Sequence, residues 1–391
     1  MWASPCRQHI VRSKFCKAVR FGHRVNLYPI WGIGAWARRP RPFLVRYFAV
    51  LEKEVNTAGV KHPATKRATA AALLACLLAA APAFAQTKTV LRISTPAVPE
   101  DWHVKMLYVF RDELNKAAPG RFDVQVHHSG TLFRQGAEAV AMQRGNLEMA
   151  LLSMQDIARQ MPEYSIFTAG YLIRDPEHLA KVYGGPIGEE VSRKVAQALG
   201  IQLLQAVYLG TRQVSLAQPR KVITPADLAG VKLRMPGSKE WLFLGQALGA
   251  NPTPLAFTEV YLGLKTGTID GQDNPLPTVK STKFYEVTRQ IVLTGHLVDA
   301  LQLAISSKTW HALSAAHRAQ MKRAAATAAK FNDENRVREE RELVDFFRAQ
   351  GIEVTVPDVA AFRKTVQDAY LKSEYAEKWP RGLLERINAV K

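Results

Sequence analysis

Between Val90 and Leu152 the chain alternates short apolar runs with helix-spaced segments, and no other feature constrains its fold as strongly. Val90–Ser94 reads as a strand. Trp102–Ala118 places Val104, Leu107, Phe110 and Leu114 at helical spacing and stops at Pro119-Gly120. Phe122–Val126 alternates apolar and polar residues as a half-buried strand does, Ala137–Arg144 reads as a helix, and Leu147–Leu152 is a short apolar strand. A β-α-β-α-β series of this kind implies an α/β chain with a largely parallel sheet covered by helices.

The remainder continues the pattern. Pro176–Leu199 is helical and Ile201–Tyr208 is a strand. Thr224 caps a helix whose first residue is Pro225. The strand Val231–Met235 turns at Pro236-Gly237-Ser238 into the helix Lys239–Leu248, and Thr258 caps a helix Glu259–Lys265 that Gly267 closes. Pro275–Val287 is helical, and Ile291–Leu297 and Leu301–Ser306 read as two strands. Ala315–Gln350 is one helical run without Gly or Pro, longer than most globular helices, so it either braces two lobes or is kinked. The strand Ile352–Val356 and a helical C-terminus follow.

The formal charge of +19 suggests a nucleic-acid ligand until it is mapped. Residues 1–85 hold 14 of the 53 Lys and Arg but 2 of the 34 Asp and Glu, which leaves 39 against 32 and a net of +7 for the remainder. Basic residues there are interspersed with acids, as on a solvated surface, so no nucleic-acid partner is expected. Residues 66–85 have the form of a secretory signal: basic Lys66-Arg67, an uncharged Ala/Leu-rich stretch, and Ala83-Phe84-Ala85 as cleavage site. The simplest account of residues 1–65 is a start codon placed too far upstream; an extended basic leader is the alternative. Cys6, Cys16 and Cys76 all precede the cleavage site, so a mature chain from Gln86 has no disulfide, thiol nucleophile or cysteine metal ligand. No long uncharged segment follows Ala85, and the mature chain is not expected to span a membrane.

Enzymatic motifs are sparse. His127-His128 are adjacent on a strand and point to opposite faces, so they do not share a metal. Gly184–Gly188 lacks dinucleotide or phosphate-loop spacing, and Lys265-Thr266-Gly267 stands alone. No metal or cofactor is expected. The polar groups that stand out lie near strand ends, where open α/β sheets bind ligands. Arg212 follows Ile201–Tyr208, Arg234 lies near the end of Val231–Met235, and Asn274 follows Ile269–Asp273. A guanidinium offers parallel donors that match a carboxylate. Read from the residues alone, Arg234 is more often an interstrand salt bridge, Arg212 a surface residue, Asn274 a helix cap before Pro275, and Phe257 a core residue.

Five blocks decide between these readings: Gly210-Thr211-Arg212-Gln213, Leu228–Ser238 (LAGVKLRMPGS), Gly249–Leu264 (GANPTPLAFTEVYLGL), Ile269–Leu276 (IDGQDNPL) and Lys283–Val287 (KFYEV). With them the chain, from about Leu91 to its end, resembles the substrate-binding proteins of tripartite ATP-independent periplasmic (TRAP) transporters, of the DctP/SiaP kind. The resemblance implies a two-lobe periplasmic-binding-protein fold with a long helix spanning both lobes. The lobes are 86–209 with 298–337, and 210–297 with 338–391. It also implies a periplasmic, non-enzymatic receptor for a small organic carboxylate that partners TRAP permease subunits. Arg234 matches the family's carboxylate-clamping arginine, Arg212 its second ligand arginine, Asn274 its ligand asparagine and Phe257 its pocket aromatic. Gln155, Arg134, Gln135 and Trp241 are further candidates for the rest of the ligand. The sialic-acid members carry Glu and Arg where Ser153 and Asp156 stand, and the family's glycine after a leucine near Leu132 is replaced by Phe133, so sialic acid is not the implied ligand. A receptor feeding a sensor or chemoreceptor has the same clamp; an enzyme on organic acids would draw on Asp156, Asp270 or Asp273.

Overall fold

Nine strands of the described residues join in one sheet. The computed structural model describes residues 88–391, so the expected secretory signal and the stretch before it lie outside the described residues. The strands are β1 (Thr89–Ser94), β2 (Phe122–His127), β3 (Met149–Ser153), β4 (Ile201–Leu216), β5 (Lys232–Met235), β6 (Asn251–Pro254), β7 (Gly271–Pro275), β8 (Gln290–Ser306) and β9 (Glu353–Thr355). Their order is β2-β1-β3-β8-β4-β7-β5-β6, with β9 beside β8. The sheet is mixed rather than largely parallel. At one end β1 runs parallel to β2 and β3, and at the other β5 runs parallel to β6 and β7. Between these ends β8 and β4 are antiparallel to each other, β8 to β3 and β4 to β7.

β4 and β8 are each about twice as long as the sequence suggested, with 16 and 17 residues. The polar run Gly210–Gln213 continues β4 because its side chains find partners across the sheet: Arg212 pairs with Asp273 and Asp299, and Gln213 Oε1 accepts from Gly295 N at 2.8 Å. The expected break in β8 at Val298–Ala300 is therefore paired strand, and the irregularity lies earlier, where Arg212 faces Leu297 but Val214 faces Val292. Register also shifts between Leu203 and Gln205 and between Tyr208 and Gly210. Such bulges re-aim side chains. Gly210 has φ +127, and a Cβ there would lie 2.4 Å from Glu340 Oε1 and 2.5 Å from Pro275 Cβ, so only glycine fits.

The helix Ala315–Ala349 is continuous, capped by Ser314 and closed before Gly351. Its first half packs Met321, Ala324, Ala325, Ala328 and Ala329 with Leu91, Ile93, Leu107 and Phe110. Its second half packs Leu343 and Phe347 with Val260, Leu276, Phe284 and Ile291. Between these apolar stretches lies a polar rung. Asp333 Oδ1 accepts from Tyr208 N and Asn332 Nδ2 donates to Tyr208 O; Arg336 Nε donates to Leu209 O and Glu340 Oε1 accepts from Thr211 N, all within 2.7–2.9 Å. Backbone groups freed by the bulge must be satisfied somewhere, and helical side chains at i, i+4 and i+8 satisfy them.

Elsewhere the helices follow local chemistry. The expected Pro176–Leu199 helix divides into Pro176–Gly184 and Pro186–Leu199, because Pro186 forces Gly185 out of helical geometry. The expected Pro275–Val287 helix is shorter, Leu276–Ser281 followed by the 3-10 turn Phe284–Glu286. Thr258 sits inside a 3-10 turn, Phe257–Glu259, and does not cap the helix Val260–Lys265. No helix among the described residues is long and apolar enough to cross a membrane.

Arg336 is fully buried and also donates to Asp101 Oδ1 at 2.7 Å and Thr278 Oγ1 at 2.7 Å. Burial alone would raise the Asp101 carboxyl; Arg336 and His103 outweigh it and hold the carboxyl well below the usual range. Arg336→Met should therefore cost about 3–5 kcal/mol in urea denaturation at pH 7. Asp101's folded pKa is depressed, so its contribution is complete above the ordinary carboxylate range and is lost as the pH falls below about 4. The penalty of Arg336→Met should shrink over the same interval.

Candidate functional site

A cavity of about 430 Å³ opens beyond the carboxyl ends of β1, β3, β5, β6 and β7, lined among others by Thr95, Ser153, Pro236, Pro254 and Asn274. This is the place open α/β sheets reserve for ligands. Arg212 and Arg234 both reach it, the first from β4 and the second from β5. Their surroundings differ in charge.

Arg212 is 5% exposed and committed to the protein. Its Nε donates to Asp299 Oδ2 at 2.9 Å; its Nη1 donates to Asp273 O at 2.7 Å and lies 3.2 Å from Asp273 Oδ2. The guanidinium lies 4.3 Å from the ring centroid of Trp241, a cation–π contact. Its Nη2 has no hydrogen-bond partner among the described residues, which leaves one edge of the fork to the cavity. Behind it, Asp273 Oδ2 is 3.1 Å from His296 Nε2. Burial would raise Asp273, but Arg212, His296 and Arg234 together hold its carboxyl below the usual range.

Arg234 is 1% exposed and has no carboxylate within ion-pair distance among the described residues. Its Nε donates to Leu255 O at 2.8 Å and its Nη2 to Gln135 Oε1 at 3.0 Å. The Phe257 ring lies 5.9 Å away. Burial, with a smaller contribution from the neighbouring Arg212, pulls its pKa down to about 9, against the pull of Asp273. It remains a cation at neutral pH, desolvated and held only by neutral oxygens. Such a charge is costly unless an anion meets it.

The other expected residues fall into place unevenly. Asn274 lines the cavity from β7 rather than capping a helix, since Pro275 occupies the cap position; its Nδ2 donates to Gln272 Oε1 at 2.6 Å. Phe257 and Trp241 line the cavity, Trp241 as the platform under Arg212 rather than as a free wall. Arg134 and Gln135 also line it. Gln135 Oε1 accepts from both Arg234 Nη2 and Phe257 N, and Arg134 pairs with Glu259 at 3.0 Å, so this loop closes on the residues that follow β6. Gln155 does not line the cavity. It is fully buried in the helix Met154–Ala158, whose capping box between Ser153 and Asp156 turns Asp156 toward the cavity instead. Asp270 lies outside the cavity, 3.4 Å from Lys232 Nζ. Sequence reasoning missed Glu138, Arg159, Asp101 and His103, all in the cavity wall. Glu138 opens a helix that was expected, but periodicity says nothing about which face of so short a helix meets a cavity.

The two arginines carry unequal stability costs. Arg212→Met leaves Asp273 and Asp299 buried without their cation and should cost about 3–5 kcal/mol. Arg234→Met strands no acid, loses two neutral partners and relieves a buried charge, so the unliganded protein should change by no more than about 1 kcal/mol. Urea denaturation of the two variants side by side checks this.

Comparison with known proteins gives the family and the fold. The family model for bacterial extracellular solute-binding protein, family 7 (DctP) matches residues 93–377. The sialic acid-binding periplasmic protein SiaP of Vibrio cholerae is 30% identical over 297 residues, covering 76% of this chain and 92% of that protein. A TRAP periplasmic solute-binding protein of Roseobacter denitrificans, solved with bound 3-deoxy-D-manno-oct-2-ulosonic acid, is 46% identical; the match covers 78% of this chain and all of that one, with a TM-score of 0.75. A second from the same organism, solved with L-galactonate, is 28% identical with a TM-score of 0.71, covering 77% of this chain and 98% of that one.

Proposed function

Because the chain belongs to family 7 of the bacterial extracellular solute-binding proteins, the substrate-binding components of TRAP transporters, we propose that it captures a sugar acid by its carboxylate at Arg234. The observation that carries this reading is a buried cation with no acid of its own at the cavity wall. A carboxylate there converts an uncompensated charge into a pair of charge-assisted hydrogen bonds, each worth about 1.5–3 kcal/mol. Arg212 adds its free Nη2, and its own aspartates keep it fixed. Asn274 and Phe257 complete this end of the cavity.

The ligand class follows from the remainder of the wall. Beyond the arginines stand Ser153, Glu138, Asp156 and Arg159, a polar surface suited to hydroxyl groups. The related Roseobacter proteins hold polyhydroxylated acids. The relatives are solute-binding proteins, and the chemistry of this wall is recognition.

In this reading the periplasm is the working compartment and a TRAP permease is the partner that takes the ligand. The lobes are 86–209 with 298–337, and 210–297 with 338–391. The crossing points coincide with the β4 bulge at Tyr208 and Gly210 and with the Arg336 rung of the long helix. The lobes close as periplasmic binding proteins do, because ligand contacts from both sides exist together only when the gap is shut. Gln135 on Arg234 is a contact between the two sides made without a ligand.

Calorimetry with 3-deoxy-D-manno-oct-2-ulosonate and L-galactonate tests the clamp. Arg234→Ala should weaken binding by about 100-fold or more, and Arg234→Lys should also weaken it greatly because an ammonium lacks the fork. Neutral sugars should not bind. Unchanged affinity in either variant ends the clamp role.

A further inference from the structure

One turn of the cavity wall touches Arg234 directly. It runs from Arg134 to Ala137, closes with Ala137 N donating to Arg134 O at 3.0 Å, and has Gly136 in third place at φ +88. A Cβ on Gly136 would lie 3.1 Å from Arg159 Nη2, so the turn is seated as well as tight. Gln135, its second residue, reaches across to the residues that follow β6. Its Oε1 accepts from Arg234 Nη2 and from Phe257 N, each at 3.0 Å. Two donors on one atom fix which end of the amide faces Arg234. The same loop approaches on both flanks: Arg134 pairs with Glu259 at 3.0 Å, and a Cβ on Gly130 would lie 3.3 Å from Thr258 Cγ2. Arg234 Nε goes to Leu255 O, and Nη1 has no hydrogen-bond partner among the described residues.

Resting on the carboxylate clamp and the two lobes proposed above, we propose that Gln135 is a positioning residue. It is a neutral acceptor from the first lobe that aims the Arg234 fork into the cavity and leaves its charge uncancelled. An amide oxygen supplies geometry without compensation. Asp273 and Glu259 pull on Arg234 only from beyond ion-pair distance. With Nε on Leu255 O and Nη2 on Gln135 Oε1, the guanidinium is held from both lobes and Nη1 is left for the ligand. Fixing the fork before the ligand arrives lowers the ordering cost of binding. An acid of the same shape would do the opposite. Glu differs from Gln by one oxygen in place of an amino group, so its carboxylate would accept the same two hydrogen bonds and set a full negative charge against the fork. Gln135 is half-buried, so an acid there would keep part of its hydration while the desolvated Arg234 gained a counter-ion. The chain would then occupy its own clamp. The neutrality of this one side chain thus keeps the receptor open to an external anion.

Titration calorimetry with L-galactonate and 3-deoxy-D-manno-oct-2-ulosonate, beside urea denaturation of the unliganded protein, tests this at pH 7 on the purified wild type, Gln135→Glu and Gln135→Met. Gln135→Glu should bind the tighter of the two acids about 100-fold more weakly and raise the urea midpoint by about 0.5 M. Gln135→Met keeps the length and loses the acceptor; it should weaken binding by about 10-fold and move the midpoint by no more than about 0.2 M. Weaker binding together with greater stability is a combination that damage to the fold does not produce. If Gln135→Glu fails to fold, the affinity of Gln135→Met decides. Wild-type affinity in either folded variant, or a Gln135→Glu protein no more stable than wild type, overturns the proposal and leaves the carboxylate clamp standing. A wild type that binds neither acid overturns both.

Discussion

Two guanidinium groups are buried near each other in the middle of the sheet, and the rest of the molecule is arranged around that charge. Arg212 carries its own neutralisation in Asp273 and Asp299, with His296 behind Asp273. Arg234 has only the neutral oxygens of Leu255 and Gln135. Desolvating a cation is expensive, and a fold that leaves one uncompensated holds it for an anion that is not part of the chain. Arg212 needs its two acids for the same reason: without them, two cations side by side would each lower the other's tendency to stay charged.

Holding that arrangement requires irregular backbone. β4 carries Arg212 through a strand whose register against β8 slips three times. Each slip frees peptide groups that must find partners inside a dry core. The long helix supplies them at its midpoint, where Asn332, Asp333, Arg336 and Glu340 replace the apolar residues found on either side. The same rung reaches Asp101 and Thr278, both in the cavity wall. Site geometry and helix register are thus one structure: shifting the helix by a single residue would misplace every member of the rung.

The cavity wall draws on both halves of the sheet. Arg212 and Arg234 line one side, and relatives solved with different acids share the fold. Ser153, Asp156 and Glu138 line the opposite side. The two sides come from different elements, β4 and β5 for the arginines, and β3 with the short helices after β2 and β3 for the others.

The sequence by itself determined the alternation of strands and helices, the continuous helix over Ala315–Ala349 and the identity of Arg212, Arg234, Asn274 and Phe257 as cavity residues, the last through motif blocks that no single periodicity carries. These are local or pattern-borne properties: spacing, caps, and the absence of Gly and Pro. Tertiary structure alone decided that β4 and β8 run unbroken through polar residues, because their satisfaction comes from partners as distant as Asp273 and Asp299. It decided that Gln155 faces away while Asp156 faces in, since one capping box sets the rotation of a five-residue helix. It decided that Glu138 lies against the cavity, and that of two arginines one is neutralised and the other is not. Charge compensation depends on distances between segments far apart in the chain, and no property of either arginine's sequence neighbours contains that distance.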